Sequence, residues 1–156
     1  MSNKPNNFKE LTDCLVACSN EVLEELGTGW KEEVHQKAME VALRNYGLTY
    51  ETQRILPITF SDHVIGESIP DLVVWLEDTK RRTAVVIDLK TETDVKDDHR
   101  KQVEKYIREL RKQLRPNESV AKYGLVINFV KETNNGTLKD SLISTGKVQI
   151  LQVLGE

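Results

Sequence analysis

Ala84-Val85-Val86-Ile87 sets four apolar residues in a row and runs straight into Asp88-Leu89-Lys90. A strand with one wet face alternates apolar and polar residues, so a continuous apolar run marks a strand covered on both faces. Such a strand needs helices above and below its sheet. Residues 123–130 form a second buried strand of this kind, and 148–154 a short last one. Few folds satisfy that demand in 156 residues, and the class indicated is α/β.

The rest of the chain supplies the covering layers. Residues 8–26 repeat Leu11, Leu15, Val22 and Leu26 at helical spacing and stop at Gly27-Thr28-Gly29. A second helix is expected over 30–46, with Val34, Ala38, Val41 and Ala42 inward and Gly47 ending it. Residues 50–60 read as one strand bent or edged by Pro57, Ser61-Asp62-His63 as a hairpin turn, and 69–76 as the next strand. Asp94 is the expected cap of a long helix to about residue 114, closed by Arg115-Pro116. Asn134-Asn135-Gly136 reads as a turn. The order is α-α-β-β-β-α-β-β, a mixed sheet flanked by helices. Residues 1–7 are expected to be a flexible leader and 8–156 a single domain, since no repeat or Pro/Gly-rich linker divides the chain.

Charge and cysteine content remove several classes of function. The net charge is −3, which excludes a polybasic protein that grips nucleic acid by bulk charge. No apolar stretch approaches the ~18 residues needed to span a bilayer, so no membrane partner is expected. The opening MSNKPNNFKE carries no apolar secretory segment. Cys14 and Cys18, one helical turn apart, read as reduced packing thiols. The location expected is intracellular, in cytoplasm or nucleus.

The chemistry-bearing residues lie at strand ends. Pro70-Asp71 precedes Leu72-Val73-Val74, and Asp88 follows Val85-Val86-Ile87. A carboxylate at the end of an apolar strand costs several kcal/mol to desolvate unless a partner or a metal compensates it. Two of them on neighbouring strands repel, and a hard divalent cation is the economical remedy. Mg²⁺ suits such a pair, because it binds through one or two carboxylates and keeps several waters. Lys90, two residues from Asp88, emerges on the same face. The bland alternative is an edge-of-sheet salt bridge between Lys90 and the aspartates. A third reading is an unrelated α/β protein whose Asp-x-Lys is accidental, which Asp71 and Asp88 on opposite faces of the sheet would establish. Gln102 and Tyr106, one turn apart on the long helix, would lay an amide and a phenol over the carboxylates.

In chain order the sequence holds Gly29-x-x-Glu32-x-x-His35, Gly47-Leu48, Glu51, Pro57-Ile58, Gly66, Asp71-Leu72-Val73 and Asp88-Leu89-Lys90. His99-x-x-Gln102-x-x-x-Tyr106 and Gly124-Leu125-Val126-Ile127-Asn128-Phe129 follow. This set resembles the PD-(D/E)xK nuclease superfamily, and within it the small GxxExxY family. One position departs: where the motif carries tyrosine, this chain has His35. The resemblance covers about two-thirds of the chain and implies a restriction-endonuclease-like core, a mixed β-sheet flanked by α-helices. It implies that Asp71 and Asp88 ligate Mg²⁺ or Mn²⁺, with the Leu89 carbonyl completing the site and Glu32 projecting towards the metal directly or through water. Lys90 would orient or deprotonate the attacking water, and Gln102 and Tyr106 would position substrate or nucleophile. The reaction implied is metal-assisted hydrolysis of a DNA phosphodiester.

Each candidate has an ordinary structural explanation beside it. Glu32, like its neighbour Glu33, suits the positive end of a helix, worth roughly 0.3–1 kcal/mol. Trp30 reads as a packing residue, His63 and His99 as surface histidines, and Tyr106 equally as a core residue. Residues 96–115 carry eight basic side chains against four acidic ones, which i, i+4 pairing on a solvated helix would explain. Beside a phosphodiester-cleaving site the same stripe, notably Arg100, Lys101, Lys105 and Arg108, would track a DNA backbone. The partner expected is DNA, with a homo-oligomer or a protein partner left open. The competing function is a non-catalytic nuclease-fold module that binds DNA or a protein.

Overall fold

The computed structural model describes residues 4–130, 142–145 and 148–155. Its elements are α1 (Phe8–Leu26), α2 (Glu32–Asn45), β1 (Thr49–Glu51), β2 (Leu56–Phe60), β3 (His63–Ser68), β4 (Leu72–Glu77) and β5 (Arg82–Lys90). Then come α3 (Asp97–Arg111), β6 (Glu118–Val120), β7 (Tyr123–Phe129), β8 (Leu142–Thr145) and β9 (Val148–Leu154). The expected turn at residues 134–136 lies outside the described residues.

The sheet is mixed, in the order β1-β4-β5-β7-β9-β8. Antiparallel pairs flank one parallel pair, β5 with β7, and β6 extends the parallel contact along the start of β5. Period-two alternation decides which side chains meet which layer. Leu72, Val74, Val85, Ile87, Leu89, Leu125 and Ile127 pack with Leu11, Leu15, Met39 and Leu43 of α1 and α2. Val73, Trp75, Ala84, Val86 and Val126 pack with Val103, Ile107 and Leu110 of α3. The apolar run of β5 is therefore covered on both faces, as its composition demands.

α3 sits close to the sheet because β7 opens with Tyr123-Gly124. A Cβ on Gly124 would lie 2.7 Å from Val103 Cγ1, 3.0 Å from the Val86 carbonyl oxygen and 3.2 Å from Ile107 Cδ1. Gly124→Ala should cost about 1–3 kcal/mol through overpacking, read as a lowered thermal midpoint. An unchanged midpoint would show that α3 shifts freely on the sheet.

Several expectations need correction. Residues 50–60 are not one strand: β1 ends at Glu51, Gln53 takes a positive φ of 55°, and β2 starts afresh at Leu56. Ser61 and Asp62 do make the turn, with φ of 50° and 64°, the two-residue geometry that matches strand twist. Their partner strand β3 was not expected. Asp94 does not cap α3, since its Oδ1 accepts from Val95 N; the helix begins after Lys96, whose N–H donates to His99 Nδ1 at 3.1 Å. In the segment read as a leader, Asn7 caps α1 by accepting from Glu10 N at 2.9 Å, and Pro5 is buried. Trp30 is half exposed and donates to the Leu26 carbonyl at the end of α1. Cys14 and Cys18 are free thiols, half-buried and buried.

Candidate active site

Antiparallel pairing of β4 with β5 sets Leu72 opposite Ile87. One step further along the same register, Asp71 comes opposite Asp88. The alternation that turns Val73 and Val86 towards α3 turns both aspartates the same way. The carboxyl groups lie within hydrogen-bonding reach of each other. They share one face of the sheet, so the opposite-face arrangement that would establish an accidental Asp-x-Lys is not found.

The pair is held from the main chain. Asp71 Oδ2 accepts the Leu89 N–H at 2.7 Å, so the backbone of β5 orients the carboxylate at the start of β4. Gln36 on α2 donates to the Asp71 carbonyl at 3.1 Å and ties down the bend before β4. Asp88 is buried, and its Oδ2 receives no hydrogen bond among the described residues. Lys90 Nζ lies 3.3 Å from that oxygen and forms an ion pair with it. Burial, with the adjoining Asp71 carboxylate, pushes the Asp88 carboxyl well above the usual carboxylate range. Burial alone would lower Lys90, but Asp88, Glu32 and Asp71 together outweigh it and raise the value, so the amine stays an ammonium.

Glu32 opens α2 from the opposite layer. Partial desolvation raises its pKa, Lys90 opposes that shift, and Asp71 and Glu92 add to it. It stands within electrostatic but not ligating reach of the aspartates, since no three His, Cys, Asp or Glu side chains among the described residues converge closely enough to hold a metal. The donor set is therefore a carboxylate pair with an unsatisfied buried oxygen. That set suits a hard cation that completes its shell with water and substrate oxygens, as Mg²⁺ does.

α3 lies over the pair. Tyr106 is buried, and its phenol is raised first by burial and then by the charges of Asp88 and Asp71. Gln102 and Tyr106 line a groove of about 650 Å³, with Lys101, Lys105 and Arg108 on the same wall and Ile58 and Ser68 on the other. Arg100 does not line it; its guanidinium is held by Asp97 and Glu104. His99 also lines the groove. Its Nδ1 is taken as an acceptor by Lys96 N, which leaves Nε2–H as the donor. Burial first, then Lys90, lowers its pKa and keeps the ring neutral.

His35 is not at this site. It is fully buried, stacks on Phe129 with ring centroids 4.6 Å apart, and pairs Nε2 with the Gly27 carbonyl at 3.1 Å. Its hydrogen bond to Gly27 therefore serves the core. The Leu89 side chain is likewise buried, on the α1–α2 side.

Sequence reasoning missed two supporting residues. Gln36 carried no signal except its place one turn beyond Glu32. Asn128, fully buried opposite Lys90, accepts from Glu92 N at 2.8 Å and donates to the Glu92 carbonyl and to Gln149 Oε1, both at 3.1 Å. It thus fixes the exit of β5 into the loop before α3. An asparagine inside an apolar strand was the available signal, because a buried amide must find partners.

A family model described as the PD-(D/E)XK nuclease superfamily matches residues 9–139. No curated protein and no solved structure matches the chain.

Proposed function

The chain belongs to the PD-(D/E)XK nuclease superfamily, and from that premise we propose that it is a Mg²⁺- or Mn²⁺-dependent DNA nuclease built as one domain over residues 8–156. Within the superfamily we read its motif set as that of the small GxxExxY proteins, a reading supported by Gly29-x-x-Glu32-x-x-His35 and the motifs that follow it. The observation that carries the reading is the meeting of Asp71, Asp88 and Lys90 on the one face of the sheet that α3 covers with Gln102 and Tyr106.

Asp71 and Asp88 would hold the cation, with the Leu89 carbonyl beside them and Glu32 acting through water. A bound divalent ion supplies polarisation of the scissile phosphate and neutralisation of its developing charge. Lys90, held as an ammonium, orients the attacking water by hydrogen bonding and offsets charge on the phosphate oxygens. Gln102 donates its amide to a substrate oxygen. Tyr106, with its phenol kept protonated, donates likewise from the wall above Asp88. Neutral His99 offers Nε2–H to a phosphate further along the groove.

The test is incubation with linear and circular DNA in Mg²⁺, in Mn²⁺ and in EDTA. Cleavage is expected with either cation and not in EDTA. Absence of cleavage under every divalent cation, or undiminished cleavage by Asp88→Ala, would falsify the reading and favour the non-catalytic module. Glu32 and Glu33 separate a helix-end role from a metal-site role. Glu32→Gln should lower cleavage roughly 10–100-fold, the usual loss for a group that acts on a metal through water. Glu33→Gln should leave it unchanged; equal losses would assign both to the helix end.

A further inference from the structure

Among the described strands the β2–β3 hairpin stands outside the main sheet, paired only with itself. Leu56 is its buried anchor in the layer under α3. Beyond that anchor it exposes apolar side chains: Phe60 is 68% exposed, Val64 and Ile65 each 65%, and Ile58 38%. A packed two-stranded ribbon turns such residues inward, so their exposure marks a surface for a partner. Across the groove, Lys101, Lys105 and Arg108 follow one another at i, i+4 and i+7 on α3, all exposed. Asp98 and Glu109 line the same wall; Lys101 pairs with Asp97 and Arg108 with Glu109, whereas Lys105 makes no ion pair among the described residues. The groove ends on Gln102 and Tyr106, beside the aspartates.

We propose, resting on the nuclease reading above, that this groove takes an unpaired DNA strand, its phosphates along α3 and its bases against the hairpin. A duplex turns phosphates outward all round and hides its base faces, so it would leave the apolar wall in water. An unpaired strand is anionic along one edge and apolar along the other. Its phosphates would meet the lysine and arginine side chains of the groove, and its bases Ile58 inside the groove and Phe60 on the hairpin outside it. Phe60 at the hairpin tip offers a ring for base stacking. The strand would then lead directly to the carboxylate pair.

The test measures fluorescence anisotropy of labelled dT20 and of a 20-base-pair blunt duplex with the Asp88→Asn protein, so that the probes survive. The dT20 strand should bind at least about tenfold more tightly than the duplex, given what base stacking contributes. The triple variant Phe60→Ser, Val64→Ser, Ile65→Ser should lose about tenfold on dT20 and little on the duplex. Lys105→Glu should weaken both. Equal or tighter duplex binding, or a serine variant that binds dT20 undiminished, overturns the proposal. So does light scattering that shows a dimer which the serine substitutions dissolve, because the hairpin then belongs to a second copy. Wild-type protein that cleaves only duplex leaves the nuclease reading standing and removes this one. Selective dT20 binding with no cleavage of either probe does the reverse.

Discussion

Asp88→Asn should abolish DNA cleavage and yet raise the melting temperature of the protein in EDTA. The two effects have one origin. Asp88 is buried, one oxygen lacks a hydrogen-bond donor, and the Asp71 carboxylate adjoins it. Without a cation, once pH rises through the Asp88 pKa, the site holds two carboxylates against the single Lys90 ammonium. An amide of the same shape removes one charge and keeps a donor for Asp71. Relief of about 1–2 kcal/mol would raise the midpoint by roughly 2–8 °C in a chain this long. Losing a ligand that supports several kcal/mol of transition-state stabilisation should cost on the order of 10³-fold in rate. The pH dependence has a definite sign. Asp88's folded pKa is raised, so its contribution to stability is complete below the unfolded carboxylate value and is lost as pH rises through the folded one. The advantage of Asp88→Asn over wild type in EDTA should widen from about pH 5 to about pH 8. Mn²⁺ should reverse the ranking, because binding at a hundredfold excess over Kd stabilises only the wild type, by about 2.7 kcal/mol. A variant that melts lower than wild type in EDTA would mean that the carboxylate is satisfied where it lies.

Lys90→Met should separate chemistry from metal affinity. The ammonium lies 3.3 Å from Asp88 and is held charged by three carboxylates. It therefore competes electrostatically with any cation at the aspartates, and its removal should leave Mn²⁺ affinity equal or greater by calorimetry. Cleavage should still fall by about 10²–10³-fold, the usual loss when a positioned donor to developing charge is removed. Metal binding that declines in step with cleavage would instead make Lys90 a strut for the carboxylates.

Local pattern exposed those parts of the fold that tertiary context does not override. α1 begins and ends as its leucine spacing indicates, and β5 is buried on both faces as its composition requires. β3 escaped notice because Val64 and Ile65 face solvent and neither alternation nor burial marks the strand. The start of α3 was misread because a histidine three residues into the helix outcompetes Asp94 for the capping hydrogen bond. At the site, parity along β5 puts Asp88 and Lys90 on one face, whereas Asp71 joins them through the register of β4 on β5, which the sequence does not spell out. Gln36 and Asn128 were not legible. Their partners lie 35 and 36 residues away in the chain, and no local spacing encodes such a bond.

The chain leaves the sheet at Glu51 and re-enters it at Leu72, while Glu51 itself pairs with Val73. Residues 52–71 are thus an excursion that departs and returns at adjoining points, with the hairpin as its outer part. Strand order and register do not depend on its length. Grafting a longer, shorter or differently faced ribbon beyond the Leu56 anchor, between Ile58 and Gly66, should change what the groove accepts while Asp71, Asp88 and α3 stay in place. The hairpin is in this sense an exchangeable tool head, and an engineer can vary it without redesigning the machine that holds it.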